Sequence, residues 1–415
     1  MHRSPGHRPP RAVVVGGGIG GLTAAVALHR RGWKVTVLER AGSLAPVGAG
    51  IGLAPNAQRA LDVVGLGDRV RELAAWQGDG GLRDPAGRWL SRTSSAATRK
   101  RFGGPLVLLH RATLVGILSA ALPAGTLRTG APAALADAGD AHRPAVVTAP
   151  DGELEADLVV AADGVGSVVR QTVFPRHPGP RYSGYTTWRL VVPAPDRPFT
   201  PHETWGRRAL WGTHPLKDGR VYAYAAAVTP ACGHAADDEK AELLRRFGDW
   251  HDPVPAIIAA AEPGGVLRHD VHHMAEPLPA HHHGRVALLG DAAHAMQPTL
   301  GQGGNQAVED AIVLAHHVGG GDDVVGRLPA YTRDRLPRTT AVVRQATRTG
   351  RMALLGGAGA VAVRDALITG VSRLAPGIVL RGFDGIADWR PPGGTYAAGA
   401  DRTTAPAAAP DAAPR

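Results

Sequence analysis

The chain has 415 residues, of which 44% are hydrophobic and 20% are charged. This balance excludes a wholly disordered or fibrous protein and provides for a large buried core. Its formal charge of +10 comes from 46 basic and 36 acidic residues, which alone would suit a nucleic-acid partner. Because only four basic residues are lysines and the arginines are scattered, we expect no nucleic-acid partner.

The cysteine count and the chain ends indicate the cellular compartment of the protein. Cys232 is the only cysteine, which excludes an intrachain disulfide. No uncharged run reaches the roughly 18 apolar residues of a membrane span, and the basic, Pro-rich start has no signal-peptide core. We therefore expect a cytoplasmic protein without a membrane span. The ends, 1–10 and 391–415, have few large apolar residues and are predicted to be disordered tails.

The first predicted elements form a βαβ unit. Residues 12–15 and 34–38 are short β-branched runs, typical of buried strands. A helix is predicted between them, at residues 22–31, where apolar side chains recur at helical spacing. This order predicts two parallel strands with a right-handed crossover. Further helices are predicted at 56–64 and 113–122.

Two later runs, 158–162 and 285–289, also have the character of buried parallel strands. The chain between them is more alternating and aromatic, which predicts a mostly antiparallel sheet; its strands are expected at 185–192, 209–213 and 220–228. After residue 289 the sequence is mostly helical, with helices expected at 303–318, 330–354 and 361–374.

These elements predict an α/β fold with a Rossmann-like nucleotide-binding domain in two separate parts. The first part is expected at 11–180 and the second, with C-terminal helices, at 276–390. An inserted substrate domain built on the antiparallel sheet is expected between them, at 181–275.

A glycine pattern after the first strand predicts a dinucleotide site. Gly16, Gly18 and Gly21 are spaced to form a tight turn, to admit a pyrophosphate and to let the helix pack on the strand. Glu39 ends the second strand, where its carboxylate can accept hydrogen bonds from a ribose. An acid at this position would repel a 2′-phosphate. The motif therefore suits FAD or NAD, and it does not separate the two.

Two further motifs place acidic residues at the ends of predicted strands. Asp163 follows the run 158–162, and Asp291 follows the run 285–289. A glycine-rich turn at 301–304 then opens another helix, whose N-terminus carries a partial positive charge that favours an anionic ligand.

In order and spacing, the three motifs resemble the FAD-dependent aromatic hydroxylases (group A flavoprotein monooxygenases). The salicylate-hydroxylase-like, zeaxanthin-epoxidase-like and urate-hydroxylase-like members are the most similar. The likeness covers about 12–389 and includes the segments 48–56, 110–111, 185–189 and 203–206. It implies tightly, non-covalently bound FAD, contacted by Gly16, Gly18, Gly21, Glu39, Arg40, Gly50, Arg111, Asp163, Asp291, Leu300, Gly301, Gly303, Gly304 and Asn305.

Within that set, the resemblance implies distinct roles. The first three glycines would cradle the pyrophosphate, and Glu39 would hold the adenosine ribose. Asp163 would serve both FAD and the nicotinamide coenzyme, and Asp291 would bind the ribityl or pyrophosphate part of FAD. Residues 300–305 would lie against the pyrimidine edge of the flavin.

The resemblance also implies the reaction. NADH or NADPH would reduce FAD, O2 would add at flavin C4a, and the hydroperoxide would hydroxylate or epoxidise an aromatic or polyene-like small molecule. The enzyme would be a monomer or homodimer. The alternatives are a flavin-dependent reductase or dehydrogenase and a non-catalytic FAD-binding protein. A halogenase is disfavoured because the chain has no Trp-x-Trp element.

Substrate contacts are expected from the inserted sheet and the 296–298 loop. Tyr222 and Tyr224 lie two apart on one strand and so face the same side. Arg189 can hold an acidic group, and His214 can take a phenol proton. We assign catalytic roles to His214, Tyr222 and Arg189, and substrate contacts to Tyr224 and Pro298. Simple packing is the alternative for each.

Two stretches argue against particular ligands, a metal ion and urate. The histidine-rich stretch, with His269, His272, His273 and residues 281–283, has no cysteine or carboxylate at metal-ligand spacing. We therefore expect a solvated loop and no metal. Thr299 and Leu300 stand where urate-type members usually have an acid, which makes urate a less favoured substrate.

Overall fold

The computed structural model describes residues 8–44, 49–74, 80–374 and 381–393. The predicted tails at 1–10 and 391–415 lie mostly outside the described residues, as does Gly48.

Apart from β12, which has 13 residues, the strands are short, as is usual in globular proteins. In chain order they are β1 (Arg11–Val15), β2 (Lys34–Leu38), β3 (Gly50–Leu53), β4 (Gly80–Arg83), β5 (Trp89–Thr93), β6 (Val107–His110), β7 (Leu127–Arg128), β8 (Ala134–Asp137), β9 (Ala145–Ala149), β10 (Gly152–Ala156), β11 (Leu158–Ala161), β12 (Arg181–Pro193), β13 (His202–Trp205), β14 (Ala209–Pro215), β15 (Arg220–Val228), β16 (Leu267–His273), β17 (His282–His283) and β18 (Val286–Leu288).

The helices are longest towards the C-terminal end. In chain order they are α1 (Ile19–Arg30), α2 (Pro55–Val63), α3 (Gly67–Arg71), α4 (Ser95–Phe102), α5 (Arg111–Ala120), α6 (Val168–Val173), α7 (Glu239–Phe247), α8 (Val254–Ala259), α9 (Asp291–His294), α10 (Gly303–Val318), α11 (Val324–Ala353) and α12 (Ala358–Leu374).

The first sheet confirms the predicted Rossmann-like core. Its strand order is β17-β18-β11-β1-β2-β7, and all neighbours are parallel except β17 and β18. The predicted strands at 12–15, 34–38, 158–162 and 285–289 all lie in it. Helix α1 is apolar and buried over residues 19–28, because it packs between this sheet and α10. The carboxyl ends of β1, β2, β11 and β18 meet at one edge, where ligands bind in such folds.

The second sheet confirms the predicted, mostly antiparallel insert. Its order is β16-β12-β15-β14-β13-β4-β5, and only β13 and β4 run parallel. Residues 181–275 supply five of its seven strands, whereas β4 and β5 come from 80–93, where no sequence pattern indicated strands. On one face Trp188 and Trp211 pack with α7 and α8.

The expectation of a histidine loop is wrong, whereas the expected exposure to solvent holds for His269 and His283. His269, His272 and His273 lie in β16, whose backbone pairs with β12. His273 is 6% exposed and His281 only 1%. Sheet pairing over a long sequence separation overrides the polar composition here. In the part of the chain that the structure describes, no group of three or more His, Cys, Asp or Glu side chains could hold a metal ion.

The C-terminal helices α11 and α12 confirm the predicted helical region. Helix α11 starts earlier than expected, at Val324, where the Asp323 side chain accepts a hydrogen bond from the Gly326 N–H and caps the helix. Among the described helices, no single one is long and apolar enough to cross a membrane. In the same described part of the chain, α11 and α12 together have the length and composition of a span, but they are bent by 114° relative to each other.

Candidate cofactor and substrate site

A cavity of about 1150 Å³ is lined by residues of both sheets. Most of the predicted site residues meet there, although they are spread over some 290 positions of the chain. Four do not line it: Gly16, Gly21, Glu39 and Asn305. The predicted residues that line it are Gly18, Arg40, Gly50, Arg111, Asp163, Arg189, His214, Tyr222, Tyr224, Asp291, Pro298, Leu300, Gly301, Gly303 and Gly304.

The turn between β1 and α1 has room for a phosphate only at Gly18. A Cβ at Gly16, where φ is +108°, would lie 2.3 Å from the Ala162 carbonyl oxygen, and one at Gly21 would lie 2.0 Å from the Gly16 oxygen. A Cβ at Gly18 would meet no atom within 4 Å. Because no side chain caps α1, its first N–H groups are available to an anion. This geometry fits a bound pyrophosphate.

Glu39 fastens the same turn to the end of β2. Its carboxylate accepts hydrogen bonds from the Gly17 N–H at 2.7 Å and the Ala41 N–H at 2.8 Å. Arg40 is exposed beside it and lines the cavity. The structure thus shows a positioning contact for Glu39, and its contact with a ribose stays a prediction.

The two acidic strand-end residues have different surroundings. Asp163 accepts hydrogen bonds from the Ser167 hydroxyl at 2.5 Å and the Val169 N–H at 3.2 Å. Asp291 begins α9 after Gly290, whose φ is +58°, and its side chain is exposed in the cavity. Of the two, Asp291 is the more open to a ligand.

The glycine-rich turn before α10 is locked to β3 by Asn305. The Asn305 Oδ1 accepts from the Ala54 N–H at 2.8 Å, and its Nδ2 donates to the carbonyls of Gly52 and Gly301 at 2.9 and 2.7 Å. A Cβ at Gly304 would lie 2.7 Å from Ile51 Cδ1. Since Gln302 gives α10 no side-chain cap, the turn presents free N–H groups to the cavity.

Arg111 brings a positive charge to this region. It begins α5, and its N–H donates to the Ala49 carbonyl at 2.9 Å. Desolvation lowers the pKa of its guanidinium, and nearby Arg189 acts in the same direction, whereas Asp291 opposes them. An anionic ligand between these arginines would relieve their repulsion.

The wall formed by the second sheet carries a polar cluster. The Tyr224 hydroxyl donates to Glu203 Oε2 at 2.6 Å, and the Trp205 indole N–H also donates to Glu203. Burial raises the pKa of Glu203, and the two donors oppose that effect. The Tyr224 ring stacks on His214 with centroids 5.7 Å apart and planes at 20°.

His214, Tyr222 and Arg189 complete this wall. Desolvation lowers the pKa of His214 to about 4, so its imidazole is neutral at pH 7. Burial raises the pKa of Tyr222 to about 12, and its ring lies against Gly50, where a Cβ would be 2.4 Å from Tyr222 Cδ1. The buried His214 Nδ1 and Arg189 Nε have no hydrogen-bond partner among the described residues.

Three of the cavity residues that were not assigned roles from the sequence have polar or titratable side chains near the predicted ones: Glu203, Tyr185 and His269. The Tyr185 hydroxyl donates to Gln297 Oε1 at 3.4 Å. Desolvation lowers the pKa of His269, and Arg189 and Arg111 lower it further. For Glu203 and Tyr185, the only signal in the sequence was that they lie in segments that carry the family resemblance. His269 gave no signal, because its polar surroundings suggested a loop.

The sheet, the open glycine turn and the second uncapped helix start define a protein that binds a dinucleotide cofactor along one sheet edge. A family model described as an FAD binding domain matches residues 11–346. The chain belongs to this FAD-binding domain family, which confirms FAD as the cofactor.

Characterised relatives are similar over most of the chain. Aurachin C monooxygenase/isomerase of Stigmatella aurantiaca is 36% identical over 360 residues, which cover 86% of this chain and 93% of the relative. The 3-hydroxybenzoate 6-hydroxylase 1 of Aquipseudomonas alcaligenes is 33% identical and covers 87% and 93%. The crystal structure of Klebsiella pneumoniae HpxO with FAD and uric acid has a TM-score of 0.81 at 28% identity, covering 90% of this chain and 97% of that chain. The chain is therefore an FAD-dependent monooxygenase, as predicted.

Proposed function

We propose that this monooxygenase hydroxylates an aromatic small molecule that carries an acidic group, with NADH or NADPH as the reductant. The observation that carries the proposal is the shared cavity, in which backbone turns of the first sheet face polar side chains of the second. Two relatives, a 3-hydroxybenzoate 6-hydroxylase and an FAD-dependent urate hydroxylase, are named for ring-containing substrates, which supports an aromatic substrate here.

FAD, when bound, supplies electron transfer from the nicotinamide and the activation of O2. The chain supplies placement. Gly18 and the start of α1 would hold the pyrophosphate, with Gly16 and Gly21 shaping the turn and Glu39 reaching the adenosine ribose. The other proposed FAD contacts are Arg40, Gly50, Arg111, Asp163, Asp291, Leu300, Gly301, Gly303, Gly304 and Asn305.

Arg189 is the proposed contact for the acidic group. Its Nε is buried and has no hydrogen-bond partner among the described residues, and burying an unpaired charged donor is costly. A substrate carboxylate would satisfy that donor by a charge-assisted hydrogen bond. The same contact would orient the ring within residues 181–275, the proposed substrate domain.

His214 is the proposed base and Tyr222 the proposed donor. Because His214 is neutral at pH 7, its imidazole can accept the proton of a substrate phenol. Tyr222 keeps its proton at that pH and can donate a hydrogen bond to the substrate. Tyr224, held by Glu203, would fix the plane of His214, and Pro298 would close the opposite side.

A panel of phenolic and polycyclic compounds, half of them with a carboxylate, tests the substrate class. Each is incubated with enzyme, FAD, O2 and either NADH or NADPH, and products are scored by mass for the gain of one oxygen atom. We expect the gain of one oxygen atom only with aromatic compounds that carry an acidic group. Flavin reduction without any oxygen gain would contradict the proposal.

The protein is further proposed to act as a cytoplasmic monomer or homodimer. Light scattering of the FAD-loaded protein gives the mass in solution. A mass of one or two chains is expected, and a larger assembly would contradict this part of the proposal.

A further inference from the structure

A cluster of charged side chains lies beneath the cavity, outside the residues given roles above, and three of its members are fully buried. Glu309, Asp310 and Arg335 are each 0% exposed. Two carboxylates, Glu309 and Asp310, face two guanidinium groups, Arg335 and Arg338, which balances the formal charges. Buried charges are tolerated only when they are paired and hydrogen-bonded in this way.

Asp310 accepts three hydrogen bonds, two from the segment that forms α9 and its N-cap and one from α11. The Gly290 N–H donates to its Oδ2 at 2.9 Å, and His294 Nε2 contacts the same oxygen at 2.5 Å. Arg335 Nε donates to Oδ1 at 2.7 Å. One carboxylate thus holds the turn before Asp291 between α10 and α11.

Glu309 joins the start of α2 to the glycine-rich turn at 301–304. Its carboxylate accepts from Asn56 Nδ2 at 2.7 Å, and the same Asn56 group donates to Gln302 Oε1 at 3.0 Å. Asn56 lies in α2 just after β3, and Gln302 lies within the glycine-rich turn at 301–304. Glu309 and Asp310 are adjacent on α10 and share Arg335, which contacts Glu309 at 2.7 Å.

We infer that Asp310, with His294 and Glu309, is a positioning residue for FAD. It acts through backbone, because the network joins two segments proposed to contact the cofactor, the Gly290–Asp291 turn and the turn at 301–304, to the start of α2, which follows β3. The inference rests on the proposed FAD contacts of those segments. Asp310 itself does not line the cavity.

The charge of Asp310 is essential to this role. Burial would raise the pKa of its carboxyl, but His294 and Arg335 outweigh burial and hold the pKa below its usual range. All three of its partners, the Gly290 N–H, the Arg335 guanidinium and His294, present donors. An asparagine would offer one acceptor oxygen and would turn its NH2 towards a donor, so D310N would release one of these contacts.

The test compares D310N with D334N in apoprotein. Asp334 also joins α10 to α11, through His317 at 2.7 Å, but it is half exposed and does not line the cavity. FAD affinity is measured by fluorescence titration and apoprotein stability by the thermal midpoint. Since hydrogen bonds to charged groups contribute about 1.5–3 kcal/mol, D310N should raise the FAD Kd about 10-fold or more, and D334N should leave it unchanged.

His294 gives a second pair of variants, should D310N fail to fold. In H294Q the amide nitrogen can still donate to Asp310, whereas H294A has no donor. We expect H294A to raise the FAD Kd about 10-fold and to shift the flavin midpoint potential, and H294Q to restore both values.

Two results would overturn the inference: an unchanged FAD Kd in D310N and H294A, or an equal loss of affinity in D334N. A wild-type apoprotein that does not bind FAD at all would instead contradict the cofactor assignment itself.

Discussion

At the proposed flavin end of the cavity the chain presents mainly backbone, and at the proposed substrate end it presents side chains. The flavin end consists of glycine turns and helix starts with uncapped N–H groups. The substrate end consists of tyrosine, histidine, arginine and glutamate side chains on an antiparallel sheet. A backbone site depends on shape and a side-chain site on charge and protonation. The two ends should therefore respond to substitution in different ways.

Glycine substitutions should have the largest effect and define the flavin end. In G21A the added Cβ would clash with the Gly16 oxygen at 2.0 Å, so we expect the loss of about 3 kcal/mol of stability or more. In G18A the Cβ points into open space, so stability should stay while the FAD Kd rises about 100-fold, as a methyl group displaces the pyrophosphate from the helix start. Thermal midpoints and FAD titrations of the apoproteins separate the two effects. Wild-type FAD affinity in G18A would contradict the assigned pyrophosphate site.

At the substrate end, the largest effect is expected from H214N. Loss of a general base should lower kcat about 100-fold or more for a phenolic substrate, with FAD affinity unchanged. In the wild type, His214 is neutral above its lowered pKa of about 4. Its contribution to kcat/KM should therefore be constant from pH 6 to 8 and decline as the pH falls towards 4. A full rate in H214N at pH 7 would remove His214 from the proton transfer.

The same lowered pKa has a consequence for stability. The folded state resists protonation of His214, while the unfolded chain takes up that proton below about pH 6.5. The free energy of unfolding is therefore unaffected by this group above pH 6.5 and decreases as the pH falls from 6.5 towards 4. Thermal midpoints of the wild type should fall over this range more steeply than those of H214N.

R189M should have an intermediate effect that depends on the charge of the substrate. Loss of a charge-assisted hydrogen bond should raise KM about 10- to 100-fold for a carboxylate substrate, with little change for its neutral amide. R207M is the matched control, since Arg207 is exposed and does not line the cavity. An equal rise in KM for both substrates would assign Arg189 to packing rather than recognition.

The smallest effect is expected from Y222F. A neutral hydrogen bond contributes about 1 kcal/mol, so the loss of the hydroxyl should lower kcat/KM about fivefold. The ring would keep its packing against Gly50, and FAD affinity should not change. A drop of the size expected for H214N would give Tyr222 a role in proton transfer.

The contrast between the two ends also explains what the sequence could reveal. The turn at 16–21 combines local spacing with steric necessity, so its glycines mark it directly. Glu203 has no comparable signal, because it meets Tyr224 only through the pairing of β13, β14 and β15. His269 looks like part of a polar loop until β16 pairs with β12. Likewise, β4 and β5 join the second sheet across a long sequence separation that no local pattern records.

The central claim is that both ends of the cavity serve one oxygen-transfer reaction. The most direct test uses isotopically labelled O2 with purified enzyme, FAD, the nicotinamide reductant and the best acidic aromatic compound. We predict one labelled oxygen atom in each product molecule and none from labelled water. Product formation without label, or oxygen derived from water, would contradict the claim.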